Sequence, residues 1–322
     1  MKRAAPPQHK ECSLGLVVSD SSFGTNEQIW DRLTLLGLIE ALPRCSSCGA
    51  YLNIRLVREK LHFSVRCGHC DEYTKLLAKT QMAGVKKIRA FFHVVVSWVL
   101  NKKVSTIYAE TGLSCHTWAD YRTRLENVVE ATIAYLVNEG EMMLGGFRII
   151  VEVDECHLFT PKYGRGEPPK NSAVWIVGLI ERDKNGEGRR SAFMLTTDRS
   201  AAVLVPFIRA WVKPGSILVS DEWRGYSRAL DEFYIRAKVN HKRMFSYFAV
   251  VDGMEMKVNT NHIEREWREV RKVLACKATK RYKDEMNKEI FRLMFLAGKP
   301  VNEQAYILMK KMAELSTPEK SE

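Results

Sequence analysis

Two periodicities divide the chain. Residues 86–138 carry apolar side chains at helical spacing, whereas beyond residue 146 short β-branched runs alternate with amphipathic stretches. Runs at Ile149–Val153, Val174–Glu181, Arg190–Thr196, Ser216–Ser220 and Ile235–Val239 predict five strands. Helical patterns at Ala201–Val212, Trp223–Phe233 and Asn259–Leu274 fall between and after them. The first three strands are joined by short connections, so they are expected to form an antiparallel meander.

Three antiparallel strands, a helix, a strand, a helix and a strand is the order of a ribonuclease H-like α/β domain with a mixed five-stranded sheet. Ahead of it, Ile88–Leu100 is apolar on most faces, Val104–Thr111 reads as a short helix, and Gly112 as a turn. Ser114 is placed to cap a helix running to about Val137. This pattern fits a helix-turn-helix, whose second helix enters the major groove. His116, Thr117, Arg122 and Arg124 are then the expected DNA-facing groups, with Trp118, Tyr121, Leu125, Val128 and Leu136 as the packing stripe. The plainer alternative is a helix pair with no DNA role. Apolar spacing from Ile29 to Ile39 predicts one more short helix.

The cysteines add a metal centre. Cys45-Ser-Ser-Cys48 and Cys67-Gly-His-Cys70 are two knuckles around a segment, 50–66, whose alternation predicts a hairpin. Four thiolates at this spacing suit tetrahedral zinc, and Gly49 and Gly68 are expected to provide the tight turns. The expected organisation is a disordered tail over 1–25, a short helix over 26–42 and a zinc ribbon over 43–75. A helix-turn-helix domain over 86–138, a catalytic domain over 146–275 and a basic helical extension over 276–322 follow.

Glu152, Asp154 and Glu155 lie in or beside the apolar run that begins at Ile149. Burying a carboxylate is costly unless it is paired or bound to a metal, and either a magnesium-like ion or an arginine partner would serve. Glu152 and Asp154 share one strand face, and Glu155 points the other way. In a ribonuclease H-like sheet the end of the fourth strand lies beside the first, which brings Asp221 toward Asp154. Glu264, in the first turn of the last helix, can reach the same place; its alternative role is a capping box with Asn261 as cap. Three converging carboxylates suit two-metal phosphoryl transfer. Arg268 and Arg271 follow on a similar helix face, toward a phosphate backbone, and His241 is expected near the substrate as an accessory group.

Composition narrows the partner. Lys and Arg number 50 against 38 Asp and Glu, a net charge of +12 that favours a polyanion such as DNA or RNA. Eight cysteines, half of them in two knuckles, favour a metal site in a reducing compartment over a disulfide scaffold. No apolar run reaches membrane-spanning length, and the N-terminus lacks the apolar core of a signal peptide.

The segments V-E-V-D154-E-C-H, V-S-D221-E-W-R-G-Y, V-N-H241 and V-N-T-N-H-I-E264-R-E-W together resemble the catalytic domain of DDE transposases, with the Merlin group and its bacterial insertion-sequence relatives as the nearest pattern. The resemblance spans roughly residues 40–280 and includes the order zinc ribbon, helix-turn-helix, catalytic domain. It implies Asp154, Asp221 and Glu264 as the catalytic triad with magnesium or manganese, and structural zinc on Cys45, Cys48, Cys67 and Cys70. It also implies double-stranded DNA (terminal inverted repeats and a target) as substrate, a homo-oligomer that holds two ends together, and residence in the nucleus of a eukaryotic host or otherwise in the cytoplasm and nucleoid. Where relatives often carry a lysine beyond the third acidic residue, this chain has Arg271, which keeps the charge but not its compact geometry. The runner-up expectation is a domesticated, non-transposing DNA-binding protein derived from such an enzyme.

Overall fold

Strand β3 (Ile150–Phe159) is central to the larger sheet and runs six residues past the expected end at Val153. The computed structural model describes residues 24–54, 63–160, 173–182, 190–221, 230–239, 246–274 and 282–316. The expected N-terminal tail, the loop after β3, the turn at 183–188, most of the Trp223–Phe233 helix and His241 lie outside those residues.

The chain divides into two units, residues 1–128 with 300–322, and residues 129–299. In the first, α1 (Asn26–Leu35) starts at a capping box between Thr25 and Gln28. It stops earlier than its apolar spacing suggested, because Gly37 turns left-handed at φ +77°. Strands β1 (Ser64–Arg66) and β2 (Tyr73–Lys75) pair antiparallel. Helices α2 (Ile88–Val99), α3 (Val104–Thr111) and α4 (Cys115–Asn138) follow. Gly112, at φ +60°, ends α3. The Ser114 hydroxyl accepts the Thr117 amide at 3.2 Å and so caps α4, within which the boundary between the units falls. The ring of Tyr121 meets that of Phe91 edge-on at 5.0 Å.

In the second unit the sheet order is β5-β4-β3-β6-β7, with β4 (Val174–Glu181), β5 (Ser191–Thr196), β6 (Ile217–Asp221) and β7 (Ile235–Val239). The meander β3-β4-β5 is antiparallel, whereas β6 and β7 run parallel to β3. Helix α5 (Ala201–Trp211) makes the crossover from β5 to β6. This mixed five-stranded sheet with its helices is a ribonuclease H-like core. Ile176, Val177, Leu179 and Ile180 are all buried, so both faces of β4 are covered and its sequence reads as a continuous apolar run.

A hairpin, β8 (Tyr247–Val251) and β9 (Met254–Val258), stands between β7 and the last helix of the core and was not anticipated. Its signal was present: Asp252-Gly253 between alternating strands, both with positive φ (+50° and +74°), is the mirror-image turn that suits strand twist. Met256 and Val258 join Ile217, Val219, Ala237 and Val239 in one buried cluster.

Helix α6 (Asn261–Leu274) packs over β3 and β4, with Ile263, Trp267, Val270 and Leu274 buried. The stretch expected as one C-terminal extension divides. Helix α7 (Tyr282–Leu296) packs on β5 and α6, while α8 (Val301–Glu314) packs on α2 in the first unit.

Candidate active site and metal centre

Alternate residues of a strand share a face about 6.6 Å apart, close to the helix pitch of about 5.4 Å. A helix laid along a strand can therefore meet alternate residues once per turn, and α6 does so on β3. The amides of His262 and Ile263 donate to Glu152 Oε2 at 2.9 and 3.0 Å. The Trp267 indole Nε1 donates to Asp154 Oδ2 at 2.7 Å. Arg271 Nε donates to the Cys156 sulfur at 3.0 Å. Gly178, opposite Asp154 on β4, makes room for this: a Cβ there would lie 2.5 Å from Trp267 Cη2.

Asp221 and Glu264 come from two other elements close enough to act on the charge of Asp154. The parallel register pairs Val153 with Ser220, so one further step sets Asp221 beside Asp154 at the end of β6. Glu264 reaches the same face from the first turn of α6, with its Oε1 accepting the Thr260 hydroxyl at 2.9 Å. Burial pushes the Asp154 carboxyl up to about 6, and the negative charges of Asp221 and Glu264 push in the same direction. The Trp267 indole and the Glu155 amide oppose the shift. A neutral indole orients Asp154 without cancelling its charge. The donor set is therefore hard and anionic, which fits magnesium or manganese. Among the described residues only the four cysteines gather their donor atoms tightly around one point.

The other two carboxylates of β3 take arginine partners. Glu152 is fully buried and accepts Arg182 Nε at 2.6 Å and His262 Nδ1 at 2.5 Å, besides the two α6 amides. It, and not Asn261, accepts the first amides of α6, so the capping box that was the alternative role for Glu264 is not formed. Glu155, on the opposite face, lies 3.8 Å from Arg199, whose guanidinium stacks over Trp175 at 3.6 Å. Arg271 is committed to Cys156 through Nε, while Arg268 is exposed. Cys156 is buried toward α6, and His157 on the other face packs against Trp175, so the two form no thiol–imidazole pair.

In the first unit the sulfurs of Cys45 and Cys70, and of Cys48 and Cys67, lie 3.6 Å apart. All four fall within 4.8 Å of one another. Zinc–sulfur bonds of about 2.3 Å in a tetrahedron require sulfurs about 3.8 Å apart, so the set fits zinc. The knuckles repeat one backbone pattern: Gly49 N donates to Cys45 O and Asp71 N to Cys67 O, each at 3.0 Å. Their left-handed residues are Gly49 and Asp71, so the turn expected of Gly68 belongs to Asp71. Amides of Cys48 and Ser47 donate to the Cys45 sulfur and lower its thiol to about 6. The observed hairpin, β1 with β2, spans the second knuckle, and residues 55–62 of the expected one lie outside the described residues.

Of the four side chains expected to face DNA, two arginines are occupied within the protein. Arg124 Nη1 donates to the carbonyls of Gln81 and Ala83 at 3.0 and 2.8 Å, and Arg122 pairs with buried Glu126 at 2.5 Å. Thr117 bonds Ser114 at 2.9 Å within the cap, and His116 is exposed. No helix among the described residues is long and apolar enough to cross a membrane.

The chain as a whole matches no curated protein. Residues 143–285, the span from the approach to β3 into the first turn of α7, match the family model of the ISXO2-like transposase domain, and this similarity supports a DDE-type transposase.

Proposed function

We propose that the protein is a DNA transposase that binds terminal inverted repeats and catalyses divalent-metal-dependent strand cleavage and strand transfer through Asp154, Asp221 and Glu264. The observation that supports this most is the approach of those three carboxylates to one face of the sheet, strongly enough that Asp221 and Glu264 both act on the charge of Asp154. In cleavage, a water oxygen attacks phosphorus and the bond to the 3′-oxygen breaks. In transfer, that 3′-hydroxyl attacks a target phosphodiester, joining to its phosphorus as the bond to the target strand's 3′-oxygen breaks and that oxygen leaves as a new 3′-hydroxyl. The three carboxylates would hold magnesium or manganese, which would supply activation of the attacking oxygen and stabilisation of the leaving one. Trp267 holds Asp154 in orientation. Arg268, exposed one turn beyond Glu264, meets the phosphate backbone.

The zinc ribbon and the α3–α4 helix-turn-helix supply end recognition, with His116 as the exposed group at the start of the second helix. Two or more copies hold the two ends, in the nucleus of a eukaryotic host or the nucleoid of a bacterial one.

The test is nicking and strand transfer on a labelled duplex carrying the element's terminal repeats, with magnesium, with manganese and with neither. Products that need the ion and vanish in Asp154→Asn, Asp221→Asn and Glu264→Gln are expected. Tight end binding without cutting in any ion, unchanged by those substitutions, overturns the catalytic reading and leaves a DNA-binding relic.

A further inference from the structure

Glu152 is the most deeply buried charge near the site, with no exposed surface, yet it has four donors: Arg182 Nε, His262 Nδ1 and the amides of His262 and Ile263. Arg182 extends the same hold to the Lys257 carbonyl at 2.7 Å, the Asn259 carbonyl at 2.6 Å and Asn259 Oδ1 at 2.9 Å. Apart from the Arg182–Glu152 pair itself, every one of these bonds lands on residues 257–263, the segment that leads into α6 and ends one residue before Glu264.

We infer that Glu152 is the positioning residue of the site: it fixes the start of α6 on β3 and so sets where Glu264 stands relative to Asp154. Stability alone is a poor account of the arrangement. A buried ion pair is a weak source of net stability, since desolvating both charges offsets their attraction. What the arrangement does provide is registry. Two amide bonds to a single carboxylate oxygen at a helix N-terminus break if the helix slides or turns, and they also match the sign of the helix dipole. Asp154 is the next residue on the same strand face, so one strand carries both the anchor of α6 and the carboxylate that Glu264 must approach. Glu152 touches no reacting atom and acts only through Glu264.

The inference rests on reading Asp154, Asp221 and Glu264 as the metal-holding set, and the experiment separates the two. Manganese binding to the full-length, zinc-loaded protein is followed by the electron paramagnetic resonance signal of free manganese. The comparison covers wild type, Asp154→Asn, Glu264→Gln, Glu152→Gln and the Glu152→Gln/Glu264→Gln double variant. Glu152→Gln is expected to weaken binding about tenfold, as loss of a residue supporting a metal ligand does. The double variant is expected to bind no more weakly than Glu264→Gln alone, since a residue that acts through Glu264 has nothing left to act on. Wild-type binding in Glu152→Gln, or losses that multiply in the double variant, overturns the positioning role while leaving the metal-holding set intact. Unchanged binding in both Asp154→Asn and Glu264→Gln removes that set, and the inference with it. Should Glu152→Gln fail to fold, Arg182→Lys replaces it, keeping the charge but losing the forked hold on Asn259, with the same expected and overturning results.

Discussion

Trp267 stands one helical turn beyond Glu264 and donates its indole N–H to Asp154 across 2.7 Å, so one helix both presents a carboxylate to the site and orients the carboxylate opposite it. Trp267→Phe keeps the ring and removes the donor. End cleavage is expected to fall about tenfold, the loss usual for a residue that orients a metal ligand, with end-binding affinity unchanged. Single-turnover rates beside a binding isotherm check this, and equal losses in both would count against an orienting role.

Asp154 itself makes the folded state pH-sensitive. Its carboxyl is raised from 3.8 to about 6 on folding. An acid raised on folding stabilises the folded state while protonated. That contribution is present in full below the unfolded value and is lost as pH rises through about 6. At neutral pH the folded protein therefore holds an unfavourable charge there, worth up to about 3 kcal/mol. Asp154→Asn is expected to be inactive yet more stable than wild type at pH 7.5 in magnesium-free buffer, with the gap closing near pH 4. Urea unfolding at both pH values checks this, and a gap that does not depend on pH would refute it.

Gly178 is required by its neighbour across the sheet. A methyl there meets Trp267 Cη2 at 2.5 Å, Ile263 Cδ1 at 3.0 Å and Phe193 Cδ1 at 3.1 Å. Gly178→Ala is expected to cost about 1–3 kcal/mol by overpacking and to reduce cleavage by displacing α6. Denaturant midpoints and cleavage rates of the same preparation should fall together.

Arg124 lies where DNA contact was expected and instead binds two carbonyls of its own chain. Arg124→Ala is expected to lower stability by about 2 kcal/mol, the loss of charged hydrogen bonds. The salt dependence of end binding should be unchanged, whereas loss of a phosphate contact reduces that slope by about one. Binding measured across a salt series separates the two roles.

Cys67→Ser is expected to remove bound zinc and the folding of the ribbon with it, because the energy of a structural zinc site is folding energy. Acid should release zinc from the wild type as its thiolates take up protons. Metal content after desalting, read beside far-ultraviolet dichroism, checks both expectations. Zinc retained at full occupancy by Cys67→Ser would exclude this residue as a ligand.

Sequence by itself determined what depends on near neighbours. Strands β4 and β7 and helix α3 fall at the bounds their patterns predict, because apolar period and flanking turn residues are local properties. The two cysteine knuckles were legible for the same reason, their spacing being set by one turn of backbone. The β8–β9 hairpin was equally local in its Asp252-Gly253 turn and went unanticipated only because its strands are short and half exposed.

Tertiary structure alone decided what holds each carboxylate of β3. Glu152 and Asp154 share a strand and a face, and nothing in their immediate sequence separates an anchor from a member of the carboxylate set. The difference arises because the start of α6, more than a hundred residues later, lands on Glu152 with two amides and His262, beside Arg182 from the end of β4, whereas α6 offers Asp154 the neutral indole of Trp267. The same holds for Arg124, whose partners at 81 and 83 come from a loop over forty residues earlier. Periodicity shows which face a side chain takes. The donors waiting on that face are set by elements distant in the chain, and they decide whether a charge is held in place or left to bind something else.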